Sequence, residues 1–241
     1  GPVDTVPGSL RQLIHDAEAT LEPDTITFDS ALSGTLLLTE GQLSISRDLI
    51  IDGPGQEHLT IDANRDSRVF RIASGSVEIN GLTISRGARE GGGGIFNEGT
   101  LALTGCILTR NEALGGGGVV NDGTMTVANS TLTGNSAEMG GGIYNSGDLT
   151  ITDSTISDNY SYFYGGGIDN RGDLTITNSV FSDNYSNYYG GGIDNRGDLT
   201  IADSSFLGNQ TERDGDGGGI RKSGELAITD SSLTGNDATS G

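Results

Sequence analysis

Twelve consecutive residues, GGGIDNRGDLTI, occur twice in this chain, at residues 165–176 and again at residues 190–201. A looser form of the same unit extends in both directions. It is anchored by a glycine run closed with an aliphatic residue at Ile95, Val119, Ile143, Ile168, Ile193 and Ile220, in steps of 24, 24, 25, 25 and 27 residues. Self-similarity at such a period belongs to solenoids, propellers and related arrays, in which a unit buries its apolar side against its neighbours. Inside one unit, Ile143 and Asn145, then Leu149 and Ile151, then Ser154 and Ile156 alternate with outward residues in three short runs separated by turn residues. Alternation of this kind reads as three strands, and the glycine content and short runs exclude helices. A propeller blade takes four strands and about 40–45 residues. Three strands in 24 or 25 residues make one coil of an all-β, right-handed parallel β-helix, with each strand ~4.8 Å from its equivalent in the next coil.

Stacking turns sequence columns into ladders. One asparagine column is Asn97, Asn121, Asn145, Asn170 and Asn195, and a second is Asn111, Asn135, Asn159, Asn184, Asn209 and Asn236. An amide side chain at a turn can bond its own turn and the amide one coil away, so both columns are expected to be structural. An inward column of Ser130, Ser154, Ser179, Ser204 and Ser231 begins with Cys106. That cysteine reads as a small buried residue and not a nucleophile, since the repeats contain no histidine to activate it.

The GGGI and Phe-x-x-Asn signatures, at residues 165–168 with 181–184 and residues 190–193 with 206–209, resemble the repeats of polymorphic outer-membrane proteins and other bacterial surface β-helices. Residues 8–14, with Ser9-Leu10-Arg11, are similar to the SLR-containing start of a domain that precedes such repeats in large secreted bacterial proteins. The resemblance covers nearly the whole chain. It implies a β-helix and a secreted or cell-surface adhesin or matrix protein whose partner is a glycan or a surface protein.

Composition narrows the alternatives. A net charge of -20 and a pI near 4.1 argue against DNA, RNA or anionic lipid as a partner. One cysteine gives no disulfide framework, and no apolar run of about 18 residues is present to span a membrane. Gly1-Pro2 reads as a tag scar, residues 3–22 as an N-terminal cap, residues 23–90 as about three irregular coils, and residues 91–241 as six regular coils. Ser9 is expected to cap a short helix reaching about Leu21, with Leu10, Leu13, Ile14, Ala17 and Leu21 covering the open end of the first coil. Asn236 still belongs to the repeat. The natural protein is therefore expected to continue, and the last coil to fray or to associate end to end. His15 and His58 lie in the N-terminal part without the clustered ligands a metal site needs.

Function is sought in the outward columns. All seven tyrosines lie within residues 144–189, and Tyr160 aligns with Tyr185, Phe163 with Tyr188, and Tyr164 with Tyr189, in what reads as a loop before each glycine run. Together with Tyr162 these rings form the candidate contact surface, although stacked aromatics also staple a long turn. A charged column places Asp169 beside Asp194, flanked by Arg171, Arg196, Asp173 and Asp198. It reads as a solvated salt-bridge ladder, as an acid–base pair of a polysaccharide lyase or glycosidase, or as a Ca²⁺ site, with Asp214 and Asp216 as a further Ca²⁺ candidate. No cofactor is required by any motif. A threonine column, Thr126, Thr150, Thr175 and Thr200 with Thr152 and Thr177 beside it, has the form of an ice-binding face, interrupted by Ala102, Ala128, Ala202 and Ala227. The expectation is a non-enzymatic extracellular adhesin segment that contacts its partner through an aromatic and acidic edge at Tyr160, Tyr162, Phe163, Tyr164, Tyr185, Tyr188, Tyr189, Asp169 and Asp194.

Overall fold

The computed structural model describes residues 8–212 and 215–238. The chain winds as a right-handed parallel β-helix. In a regular coil the chain passes through a strand of sheet I (for example Ile143–Asn145), one of sheet II (Asp148–Thr152), one of sheet III (Thr155–Ser157) and one of sheet IV (Tyr160–Tyr164). Among the described residues these sheets hold eight, nine, nine and seven strands, all parallel. The three strands per coil read from the sequence are sheets I to III, in register across identical repeat positions such as Thr150, Thr175 and Thr200.

Sheet IV is the addition. It begins at Ala88–Gly91 and occupies the stretch read as a loop. Its inward residue is small, Ser161, Ser186 or Thr211, each fully or nearly buried, so the chain can press flat against the core while the rings on either side point away. Small polar inward residues produce no apolar alternation, which is why this strand is faint in the sequence.

The core is a set of aliphatic columns. Ile143, Ile168 and Ile193 from sheet I, Leu149 and Ile151 with their equivalents from sheet II, and Ile156, Phe181 and Phe206 from sheet III are all essentially excluded from water. Phe181 and Phe206 stack inside it with centroids 4.7 Å apart. At the C-terminal end the equivalent Ile228 and Leu233 are partly exposed, since no further coil covers them among the described residues.

Polar ladders hold the corners. Asn121 Nδ2 donates to Asn145 Oδ1 at 2.8 Å and to its own turn at Gly123 O, and the pattern repeats from Asn97 to Asn195. In the second column Asn159 Nδ2 donates to Asn184 Oδ1 at 3.0 Å and to Leu132 O at 2.9 Å, while Asn159 Oδ1 accepts from the backbone and side-chain nitrogens of Asn135. The serine column works likewise, and Cys106 takes its first place. Its backbone N donates to Ser130 Oγ at 3.0 Å, and burial pushes its thiol pKa up to about 11. The glycine run has its own reason. Gly165 has φ +61°, and a Cβ on Gly166 would stand 2.4 Å from Gly191 O in the next coil.

The helix spans Leu10–Ala17, capped by Ser9, whose Oγ accepts from Gln12 N at 3.3 Å. Leu10 and Ile14 are buried against the first coil, and Arg11 donates to Gln42 O. The helix is shorter than the sequence pattern indicates: Leu21 lies beyond it and is 86% exposed, and Leu13 is only partly covered. Pro23 biases the residue before it away from helical geometry, and the chain turns there into its first strand, Asp24–Thr27.

Asn159→Ala removes four hydrogen bonds and deprives Asn135 N and Leu132 O, both buried in the preceding coil, of these partners, so it should destabilise by about 1–3 kcal/mol. Denaturant unfolding compared with a surface variant such as Thr175→Ala checks this, and equal midpoints would refute the ladder's role.

Candidate functional site

Sheet IV carries the aromatic surface. Tyr160 stacks on Tyr185 at 5.8 Å between centroids, Phe163 on Tyr188 at 5.8 Å and Tyr164 on Tyr189 at 5.5 Å. The rings thus pair one coil apart, in the register expected from the 25-residue spacing. Tyr162 meets Phe163 edge-on at 4.6 Å and reaches Tyr188 at 5.9 Å. Tyr160, Tyr162 and Phe163 remain 37–38% exposed, whereas Tyr164, Tyr185, Tyr188 and Tyr189 are half-buried. A shallow groove of about 350 Å³ leads from Tyr160, Tyr162 and Phe163 across Ala113, Leu114 and Ala137, bordered by Glu112 and Glu138. Leu114 is exposed in this groove.

Asp169 and Asp194 occupy a different position from the one expected. They are in register on sheet I and point away from the coil interior, yet both are 0% exposed. The salt-bridge ladder is therefore buried and not solvated. Its cover is built from arginines and tyrosines. Arg171 pairs with Asp169 at 3.1 Å, and Asp194 receives Arg196 at 2.8 Å and Arg221 at 2.9 Å. The guanidinium carbons lie over ring faces: Arg171 over Tyr144 at 5.0 Å, Arg196 over Tyr164 at 3.9 Å and Arg221 over Tyr189 at 4.2 Å. Each arginine is thus sandwiched between a carboxylate below and an aromatic ring beside it.

Asp169 Oδ1 accepts no hydrogen bond, and Arg196 meets Asp194 Oδ2 as a charge contact outside hydrogen-bond direction. Burial, the largest influence, lifts the pKa of Asp169 against the pull of Arg171 and Arg196. Arg196 is held above its usual value: burial works against its charge, but Asp194 and Asp169 outweigh it. Burial also raises the phenol of Tyr144.

The remaining candidates lie apart from this centre. Asp173 and Asp198 are exposed on sheet II and continue a column of carboxylates from Asp148 to Glu225. Beside it run Thr126, Thr150, Thr175 and Thr200, in register and ending at Ala102 and Ala227. Asp214 lies outside the described residues, and Asp216 is exposed. Among the described residues no three His, Cys, Asp or Glu side chains converge. His15 sits beside Asp16 on the helix, and His58 is in the turn after Gly55.

Arg171 and Arg196 are legible in the sequence only as charges alternating with aspartate, and Arg221 is missed there altogether. Their pairing with Tyr144, Tyr164 and Tyr189 joins the charged column to the aromatic one, which the sequence shows as separate features.

No family model matches this chain, and no characterised protein matches it by sequence. Among solved structures it is similar to one described as a new PL6 alginate lyase in complex with a trisaccharide, with a TM-score of 0.47 and 15% identity. The match covers 96% of this chain and 58% of that one, so the present chain spans well under two thirds of that structure's length. Among the described residues no helix is long and apolar enough to cross a membrane.

The raised pKa of Asp169 fixes a sign. A carboxyl whose folded pKa exceeds its unfolded one weakens the fold when ionised, and the loss is recovered as pH falls through the folded value, down to the unfolded value of about 3.9. The melting temperature of the parent relative to Asp169→Asn should therefore shift in the parent's favour between pH 7 and about pH 4. A flat difference would show that Arg171 and Arg196 cancel burial, and one that moves the other way that they outweigh it.

Proposed function

We propose that this chain is the glycan-binding part of a secreted or surface-displayed bacterial protein, and that it holds an extended polysaccharide along the aromatic edge of sheet IV. The observation that carries this reading is the set of rings outside the core, stacked coil on coil and leading into a groove. Tyrosine offers a flat apolar face for the C–H face of a sugar and a hydroxyl for its polar rim. Coils repeat every ~4.8 Å along the axis, so a sugar chain lying parallel to the axis crosses the ring-bearing strand Tyr160–Tyr164 and the strands of Glu138 and Glu112 in the two coils before it. Glu112 and Glu138 at the groove's border favour a neutral or amino sugar there over an acidic one.

The exposed and half-buried rings divide the work. Tyr160, Tyr162 and Phe163 meet the ligand, while Tyr164 and Tyr189, under Arg196 and Arg221, hold the edge in place. Contact and stapling are thus assigned to different residues of one cluster.

A second reading, cleavage of a bound polysaccharide, is favoured by Asp169. Its carboxyl is driven toward the proton-bearing form by burial and lies one coil from Asp194, the kind of environment that prepares a general acid. Substrate would reach it only once the arginine and tyrosine cover had opened.

Tyr162→Ser combined with Phe163→Ser should lower affinity for the preferred member of a polysaccharide panel by about tenfold or more with little change in melting temperature. Tyr164→Ser with Tyr189→Ser should lower the melting temperature. Unchanged binding in the first variant would overturn the aromatic-edge reading. The same panel, run with and without Ca²⁺ and assayed for unsaturated or reducing ends, tests cleavage. Product release that is lost in Asp169→Asn would replace binding by catalysis as the function.

A further inference from the structure

Among the described residues, the non-glycine positions with a left-handed backbone are Asn or Asp, with three exceptions: Arg65 (φ +64°), Arg86 (φ +50°) and Arg110 (φ +57°). Asn and Asp tolerate this region because their short polar side chains bond locally, whereas arginine has no such compensation. All three lie at one corner of the β-helix, the turn leaving sheet III, in successive coils. Arg65 N donates to Arg86 O at 2.7 Å, and Arg86 N donates to Thr109 O at 3.4 Å. Later coils make the turn of Arg86 and Arg110 with Gly134, Asp158, Asp183, Gly208 and Gly235. Arginine is therefore not required by the turn, and strain retained at one place points to a use for the side chain.

The charges at this corner are unevenly satisfied. Arg86 pairs with the nearly buried Asp62 at 2.7 Å. Arg65 comes within only 4.0 Å of Glu112, with both side chains exposed, and Asp66 accepts from Asn64 Nδ2 at 3.0 Å. Arg110 is exposed and makes no ion pair among the described residues. Beside it an open polar groove of about 530 Å³ runs along sheet III, lined by Thr35, Thr60, Thr83, Ser85 and Thr109, by Asp62, whose charge Arg86 already meets, and by Arg110, whose charge is left over. Hydroxyls recur there coil by coil, at the spacing of the coils themselves.

We propose that this corner is a second saccharide subsite, specific for a carboxylate-bearing sugar: Arg110 takes the carboxylate through its guanidinium fork, and the threonine hydroxyls of the groove meet the sugar's hydroxyls. The fork matches a planar carboxylate with two parallel hydrogen bonds, which is why arginine and not lysine suits the position. A chain with a net charge of -20 repels an acidic polymer over most of its surface, so the arginine corner is where a uronic acid residue can be held. The site is separate from the aromatic edge and does not depend on that edge binding anything.

The test uses titration calorimetry on the whole chain with three probes: a triuronate, a neutral trisaccharide of the same linkage and the monomeric uronate. Arg110→Gly gives the turn the residue that Gly134 and Gly208 already supply, so it should melt at or above the parent's temperature. The parent should prefer the triuronate to both other probes, and Arg110→Gly should lose about tenfold or more of that affinity along with part of its salt dependence. Parent-like binding of the triuronate by Arg110→Gly overturns the site. Equal binding of triuronate and neutral trisaccharide by the parent overturns the carboxylate specificity, and equal binding of monomer and trimer overturns the part given to the hydroxyls of the neighbouring coils. The Tyr162→Ser, Phe163→Ser variant should bind triuronate as the parent does. If that variant alone loses it, the aromatic edge stands and this subsite falls.

Discussion

Everything in this molecule depends on the requirement that each corner of each coil find partners for its backbone polar groups without help from water. A parallel β-helix buries its strands edge to edge, so ladder hydrogen bonds are supplied by the next coil, but the corners break the ladder. The asparagine columns close that gap. Asn159 Oδ1 takes two donors from the coil before, and its Nδ2 reaches two acceptors. Because a carboxamide both donates and accepts, one residue type can repeat indefinitely in a column, which a carboxylate could not do without accumulating charge.

The corners set the geometry within which the rest varies. Where the chain leaves sheet I, asparagine fixes the turn and lets sheet II begin in the same register in every coil. Where it returns, the glycine run lets one backbone lie against the carbonyls of the next, and no side chain fits between them. Sheet IV is the segment between two fixed corners, free to change on its outward side. It carries Glu112 and Leu114 in one coil, Tyr160, Tyr162 and Phe163 two coils on, and Gln210 with Thr211 after that. Variation on a fixed scaffold is where binding surfaces arise.

The Asp169–Asp194 region shows a different economy. Two carboxylates in adjacent coils repel, and burial would normally keep them out. Three arginines supply the opposite charge, and the rings of Tyr144, Tyr164 and Tyr189 shield the arginines in turn. The outcome is a polar seam between sheet I and sheet IV that locks the aromatic strand onto the helix. It explains why each copy of the duplicated Asp-Asn-Arg sequence directly follows an aromatic stretch of sheet IV.

The sequence by itself determined the winding, the coil length, the asparagine and serine ladders, the capping role of Ser9 and the pairing of Tyr160 with Tyr185. All of these follow from one period and from what must face inward at each step, and a repeat states that period many times over. Tertiary structure alone decided the rest. Sheet IV is hidden in the sequence because its inward residues are Ser161 and Ser186, which carry no apolar signal. The burial of Asp169 and Asp194 depends on Arg196 and Tyr164 meeting across the edge, thirty-two residues apart in sequence but adjacent once wound. The arginine corner is equally invisible beforehand, since a left-handed backbone at Arg86 and Arg110 follows from the turn geometry that the neighbouring coils impose and not from arginine's own preference.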